Sequence, residues 1–488
     1  MPVRPYDQSQ QFLLSPRLDE WISKDNQARV FSEVVDQLDI SGFQEIKLEG
    51  RPRFDTSMML KILIWGYANG LRASRKIAKR VQTDVEFMWL AGLEKPDFRT
   101  ICLFRKTNLA KLNYLFSQVI LLARGLKLIR LGLIALDGTK VRANVSVESF
   151  KEKQDWENEL KRIQAEVSRI LAEAEESDLA DDQRYGENLR GDEIPKELEE
   201  LEERKKRIGA LLNQITGKKT DDHQKISSTD PEVKFMHHKN GSIPAYNCEL
   251  AVTKEQIIVY SEVTNEPADT NQLKPALEGI KDTCGREPKR LAADAGFNSG
   301  GNCRCLEDRK IDGYIPASSE ENIGKDMNSE TGLYSKEDFQ YNQEKDCYLC
   351  PAGEILRPKN RAHLHTKYSN KWVTTYRAEE GVCLGCRHRS KCTKGKSRSI
   401  MRGEFEVEQV RMRQKLKTED GKKIYRKRKT MVEPVIGQIK TVGGFIQFLL
   451  RGLIGAKIEW KWATIAHNLL KITRKIMSGE RKLSPLPV

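Results

Sequence analysis

The sequence predicts an α/β core, a mixed sheet flanked by helices, preceded by an all-α N-terminal domain and broken by two inserted segments of different character. Three observations carry that prediction. Apolar residues recur at helical spacing through roughly the first 115 residues. From residue 131 onward, short apolar runs bounded by turns alternate with helical stretches, as expected where strands and helices share one sheet. Two segments follow neither pattern: 148–230 carries a heptad stripe, and 317–406 carries cysteine pairs without a long helical period. The division is therefore 1–115 for the N-terminal helices, 116–147, 231–316 and 407–478 for three parts of the core, 148–230 for a coiled-coil hairpin and 317–406 for a Cys-rich insertion.

In the N-terminal region, Met58, Leu60, Leu63, Ile64 and Tyr67 lie on one stripe of a helical run from Phe54 to Ala78, with capping chemistry at Asp55 to Ser57. A second run covers Phe87 to Leu93, and Pro96-Asp97 opens a third helix at about 99–104. Basic residues among these helices suit DNA contact, and an ordinary packed unit is the alternative. The core opens with the buried run Leu131 to Leu136, read as a strand closed by a turn at Asp137-Gly138. Strands over 246–253 and 256–264 flank a Lys254-Glu255 turn; a helix over 270–282, a strand over 290–294, a helix after Asn298 and a short strand over 313–316 follow.

In the hairpin, Trp156, Leu160, Ile163, Val167, Ile170 and Ala174 alternate steps of four and three residues. After the polar bridge from Asp178 to Pro195, Leu198, Leu201, Ile208, Leu212 and Ile215 do the same, with one skip at Lys205. A solvated spacer and a dimer- or DNA-clamping arm both fit. Helical periodicity returns after 406 and runs to about Met477, interrupted at Gly443-Gly444 and Gly452. Trp460, Trp462 and His467 on the last helix read as packing residues.

The 488-residue chain carries 84 Lys+Arg against 70 Asp+Glu, a net charge of +14, with 38% hydrophobic residues. That mixture excludes a wholly disordered or low-complexity chain and fits about three structural units. The start MPVRPYDQSQ leads into no apolar signal region. The most apolar stretch, Leu115 to Leu136, contains Arg124, Lys127 and Arg130, each costing roughly 3 kcal/mol at a bilayer centre, so it is no span. The expected location is cytoplasmic, with no membrane partner. The surplus of positive charge favours a polyanion. Residues 387–429 hold 17 Lys+Arg against 5 Asp+Glu, which suits a DNA-backbone contact or a solvated basic linker.

Five of the ten cysteines form Cys347-x2-Cys350, Cys383-x2-Cys386 and the following Cys392, a pattern that suggests a structural Zn²⁺ site, with reduced thiols as the alternative. The central gap of 32 residues is long for a zinc ribbon. His388 is a reserve ligand, while Cys303 and Cys305 fall on a helix elsewhere. The pair His237-His238 reads as loop.

Asp137 in LIALDGTK and Asp294 in RLAADAGFNS each end an apolar strand, where open α/β sheets place their sites. A third carboxylate, Glu433 in KRKTMVEPVIGQIK, lies on a helix beside apolar Val432, Ile436 and Ile439. Three carboxylates without His or Cys suit Mg²⁺, with Mn²⁺ as a substitute. Two such ions about 4 Å apart would activate a water or 3′-OH on a phosphodiester. No P-loop is present, so no nucleotide cofactor is expected, and the lack of HExxH argues against a zinc hydrolase. Asp269 reads as a helix cap, and Asp230 is a further acidic residue outside the set.

Several blocks resemble DDE-class bacterial insertion-sequence transposases with an InsH-like helical N-terminal domain. They are FDTSMMLKILIWGYANGLRASRKI with PDFRTICLFR, then LDGTKVRANVS, IPAYNCELAVTKEQIIVYSEVTNEPADTNQL and ADAGFNSG, and finally YRKRKTMVEPVIGQIK with FLLRGLIGAKIEWKWATIAHNLLK. The resemblance implies an RNase H-like catalytic core with Asp137, Asp294 and Glu433 as the metal-binding triad. The signature Tyr-x2-Arg-x3-Glu-x6-Lys is met by Tyr425-x2-Arg428 and Glu433-x6-Lys440. Arg428 stands one residue too far from Glu433, however, and Lys429 occupies the strict position. These four, Tyr425, Arg428, Lys429 and Lys440, are the implied DNA-binding residues. The implied activity is cutting phosphodiesters at the element's terminal inverted repeats and joining the 3′-OH ends to target DNA, by a homodimer that holds both ends and associates with the nucleoid. A non-transposing Mg²⁺ nuclease and a non-catalytic DNA-binding descendant are the alternatives.

Overall fold

The computed structural model describes residues 17–43, 53–106, 109–185, 196–216, 225–238, 241–317, 333–366 and 369–483. Six helices come first: α1 (Gln27–Asp36), α2 (Thr56–Ala68), α3 (Ser74–Thr83), α4 (Val85–Leu90), α5 (Phe98–Arg105) and α6 (Leu109–Gly125). Asp55 caps α2 by accepting the Met58 N–H at 2.8 Å, and Asp97 caps α5 through the N–H groups of Arg99 and Thr100. The single helix expected over 54–78 is two. Gly70 takes φ +74°, and Leu71 N–H returns to the Gly66 carbonyl at 2.7 Å, a left-handed cap that ends α2 before α3 begins.

The next elements are β1 (Ile134–Arg142), β2 (Phe150–Lys151), α7 (Lys153–Tyr185), α8 (Lys196–Thr216) and β3 (Ile226–Ser227). The helices α7 and α8 pair with Trp156, Ile163, Val167 and Ile208 of the expected stripes buried between them, joined by Leu211, while the expected Leu212 is only half-buried. The two-stranded β2–β3 ladder closes the base of this hairpin, and the Trp156 indole donates to the Ile226 carbonyl at 3.2 Å. The side chains of Ala174, Leu198 and Ile215, and bridge residues 186–195, lie outside the described residues.

There follow β4 (Lys234–His238), β5 (Gly241–Val252), β6 (Ile258–Thr264), α9 (Leu273–Cys284), β7 (Arg290–Ala293), α10 (Gly300–Asp308) and β8 (Asp312–Tyr314). One six-stranded mixed sheet results: β5 is antiparallel to β1, β4 and β6, while β7 is parallel to both β1 and β8. Two expectations are corrected. Asp137-Gly138 is no turn, because β1 runs through it to Arg142; and His237 and His238 sit on β4, paired with β5.

A separate five-stranded antiparallel sheet holds β9 (Gln340–Asn342), β10 (Cys347–Leu349), β11 (Ile355–Thr366), β12 (Ser369–Arg377) and β13 (Ser399–Gly403). The chain returns to the first sheet with α11 (Glu406–Lys417), α12 (Glu419–Gly437), a π-helical turn (Gln438–Val442) and α13 (Gly452–Met477). Pro434 has no N–H for the Thr430 carbonyl four residues back, and the Gln256 side chain donates to that carbonyl instead, at 3.3 Å. Among the described residues, no helix is long and apolar enough to cross a membrane.

Buried on nearly every side through its middle, α13 lies between the N-terminal helices and the sheet, with Trp460 and Trp462 fully enclosed as expected. Its polar side chains cover the open edge of β6. Asn468 accepts from Ile258 N–H and donates to Ile258 C=O, both at 2.8 Å, and the Lys461 ammonium donates to the Ser261 carbonyl at 2.6 Å. An exposed strand edge would otherwise present these groups to any passing strand.

His467 completes this seam, its Nε2–H donating to the Gln256 carbonyl at 3.0 Å. Burial, only partly offset by that bond, pushes its pKa down to about 4. As pH falls from the unfolded-state value of 6.5 towards 4, the unfolded chain takes up a proton that the folded chain refuses, so stability is lost across that window. The loss amounts to roughly 3 kcal/mol. In His467→Gln, which keeps a donor and removes the titration, urea midpoints measured at pH 7 and pH 4.5 should lie closer together than in wild type. An unchanged gap would exclude His467 as a source of acid lability.

Candidate active site

Parallel pairing of β1 with β7 sets Leu136 opposite Ala293, so the next residue on each strand, Asp137 and Asp294, falls at the point where β7 ends beside β1. Asp294 caps the short turn after β7, accepting Gly296 N–H at 2.9 Å. Asp137 is largely buried, and its Oδ2 accepts from the Arg428 guanidinium at 2.9 Å. Burial drives the Asp137 pKa up; Arg428 pulls it back, Asp294 and Asp269 add to the rise, and the balance lies at about 7. Arg428 is buried on α12 with Met431, Val432 and Val435, against β1 and β7. The Tyr425 ring lies under its guanidinium, 5.7 Å from the centroid.

The opposite face of β1 carries a second polar group. Register places Gly138 across from Glu249 and Lys140 across from Asn247. Asp269 accepts from Lys140 at 2.9 Å and from Asn247 at 2.6 Å, and the same Asn247 amide nitrogen reaches Glu249 at 2.6 Å. Glu249 is fully buried; burial first, then Asp269, pushes its pKa well above the usual carboxylate range. Its Oε2 has no hydrogen-bond partner. Asp269 is therefore not a helix cap: Ala268 precedes the helical turn, and the Asp269 side chain turns inward to Lys140 and Asn247. Sequence reasoning misses Glu249, Asn247 and Lys140. The signal it could have used is two polar residues at alternate positions of an otherwise apolar strand, Asn247 and Glu249.

Gly138 is the space this network needs. A Cβ there would lie 2.9 Å from Glu249 Oε1 and 3.1 Å from both Asn247 Oδ1 and Asp269 Oδ1. Gly138→Val should thus destabilise the fold by about 1–3 kcal/mol, the usual range for overpacking. Chemical denaturation reads this directly, and a change under about 0.5 kcal/mol would mean the network yields freely.

The remaining expected residues are placed as follows. Lys429 and Glu433 are exposed on α12. Glu433 is five residues beyond Arg428, about 140° round the helix from the side that meets Asp137. Lys440, in the π-helical turn, donates to the Lys140 carbonyl at 2.9 Å. Cys350, Cys383, Cys386 and Cys392 line one cavity of the second sheet unit; Cys347 is buried on β10 and does not line it. Asp230 is structural: it accepts from the Tyr246 hydroxyl and from Gly452 N–H at the start of α13. Among the described residues, no group of three or more His, Cys, Asp or Glu side chains stands at the spacing that holds a metal ion.

Two family descriptions match the chain: a transposase domain (DUF772) over residues 16–107 and a transposase DDE domain over residues 349–473. No curated protein matches it.

Proposed function

We propose, from the premise that this chain belongs to the DDE-class insertion-sequence transposases, that it cuts phosphodiesters at the ends of its own element and transfers the freed 3′-OH ends to target DNA. The observation that carries the reading is the placing of Asp137, within β1, beside Asp294 at the end of β7, crossed by the helix that supplies Arg428. The strand order β6-β5-β1-β7-β8, with β5 antiparallel to β1 and with β7 and β8 parallel, supports an RNase H-like core.

The donor set suits a hard cation: oxygen atoms only, and a carboxyl whose ionisation is opposed by burial and by a like-charged neighbour, both of which a cation would offset. Mg²⁺, or Mn²⁺ in its place, would be held by Asp137 and Asp294, and a pair of such ions would activate water or a 3′-OH and stabilise the leaving oxygen. Glu433, exposed on α12 and about 140° round from the side that meets Asp137, is the third carboxylate proposed from its motif alone.

The chain's own groups supply the rest. Arg428 fixes the orientation of Asp137. Lys423, Arg426, Lys427 and Lys429 are exposed on α12, and Arg75, Lys76, Lys79 and Arg80 are exposed on α3 opposite its buried Ile77, Ala78 and Val81. Both helices thereby offer phosphate contacts, and binding would weaken steeply with salt. A homodimer would hold the two ends together.

The test is a supercoiled plasmid carrying the element's own terminal repeats, incubated with the protein, Mg²⁺ and a labelled target duplex. Nicking at the repeat ends together with joined product is the expected result. Nicking without regard to the repeats would favour a simple nuclease, and binding without Mg²⁺-dependent cleavage would favour a non-catalytic DNA-binding protein.

A further inference from the structure

We infer that Cys350, Cys383, Cys386 and Cys392 form a tetrathiolate site for one zinc ion, which fastens the second sheet unit, and that neither Cys347 nor His388 belongs to it.

The four thiols come from three places in the chain. Cys350 follows β10, Cys383 and Cys386 lie in the turns after β12, and Cys392 ends a short helical turn. The long sequence gap between the first two is filled by the β11–β12 hairpin. That hairpin runs out and back in antiparallel register, from Arg357 opposite Arg377 to Thr366 opposite Ser369, and so returns the chain to where it left. The spacing that is too long for a metal ribbon is thus a hairpin's length.

All four cysteines line one cavity of about 20 Å³, which they share with apolar Leu356, Ala378 and Val382 and with Glu354, Arg389 and Arg398. Such a volume holds one water or one ion, and a buried water needs two to four good polar partners, which thiols do not provide. A thiophilic ion that prefers four sulfur ligands suits the space better.

The backbone is arranged for thiolates. Glu354 N–H points to Cys350 Sγ at 3.3 Å, and His388 N–H points to Cys386 Sγ at 3.4 Å. Binding would release four thiol protons and leave a net charge of −2 on the four sulfurs and the ion. Arg389 and Arg398 are at hand to offset it, donating to the carbonyls of Cys383 and Cys392, both at 3.1 Å. His388 lines the cavity, but its Nδ1 is engaged by the Tyr334 hydroxyl at 2.9 Å, and four thiolates already complete a tetrahedron. Cys347 lies on β10 across from Asn342 and outside the cavity. The four sulfurs stand round the cavity at more than ligand spacing. Binding one ion would therefore require the cysteine side chains to rotate about their Cα–Cβ bonds between staggered rotamers.

The test uses the full-length chain purified without chelator from zinc-supplemented cells. Elemental analysis should find one zinc per chain, released by a mercurial as four thiols react. Cys347→Ser should keep the metal, while Cys383→Ser and Cys392→Ser should lose it. Because those two variants could misfold, wild type refolded with Co²⁺ provides a second readout: intense thiolate-to-metal charge transfer and tetrahedral visible bands, unchanged in His388→Ala. Wild type without zinc, zinc lost in Cys347→Ser, a Co²⁺ spectrum altered by His388→Ala, or thiol counts showing disulfides among the four would each overturn the assignment.

Discussion

Asp137→Asn should lower cleavage of an end-bearing plasmid by about a thousandfold or more, the scale on which losing a group that stabilises reaction charge costs a catalyst, while DNA binding is retained. The substitution is nearly isosteric, and the amide oxygen can still accept from Arg428, so the fold has no reason to change. What disappears is the negative charge that makes a cation worth binding. The same variant carries a second, opposite signature. The Asp137 pKa is raised to about 7 in the folded chain, mainly by burial and against the pull of Arg428. Its contribution to stability is therefore present at pH below its ordinary value of 3.8 and is lost as pH rises towards 7. In EDTA at pH 8, Asp137→Asn should be more stable than wild type, by up to roughly 4 kcal/mol from that shift. A gain in stability together with a loss of activity marks a residue kept for function. Retained cleavage, or equal destabilisation at pH 5 and pH 8, would remove Asp137 from the active site.

The second large effect is structural. Trp462→Ala should cost about 3–5 kcal/mol, the range for truncating a buried aromatic. The Trp462 indole is fully buried on α13, donates to the Arg105 carbonyl at 3.0 Å, and lies 6.4 Å from the Tyr67 ring and 6.5 Å from that of Phe104. It therefore joins the N-terminal helices to the helix that covers the sheet. Close by, buried Glu459 accepts from Leu449 and Leu450 N–H and stands 3.8 Å from Arg72, which also donates to the carbonyls of Gly444 and Gln447. Because the N-terminal helices, the first sheet and α13 share one hydrophobic core, they should unfold together in a single transition shifted to lower urea. Loss of the N-terminal helices in a separate, earlier step would show that they fold on their own.

Much of this is legible along the chain because the signals are local. Asp55 and Asp97 announce helix starts through their own side chains, the hairpin announces itself by its stripe, and Asp137 and Asp294 stand out as acids closing apolar runs. Other features depend on which strands lie side by side, and no local period records that. Gly138 reads as a turn because Asp-Gly usually is one; only its register opposite Glu249 shows that it makes room for three side chains. Asp269 reads as a cap, yet in the fold Lys140 and Asn247 claim it. Five cysteines are equivalent in the sequence, and four of them meet at one cavity, brought together by a hairpin between them.

The sequence by itself thus determined the kinds of element, their order and the acidic and thiol groups available for chemistry. The tertiary structure alone decided which of those groups meet. The physical reason is that backbone conformation follows from neighbours a few residues away, whereas strand register and helix docking follow from burying apolar surface between segments far apart in the chain.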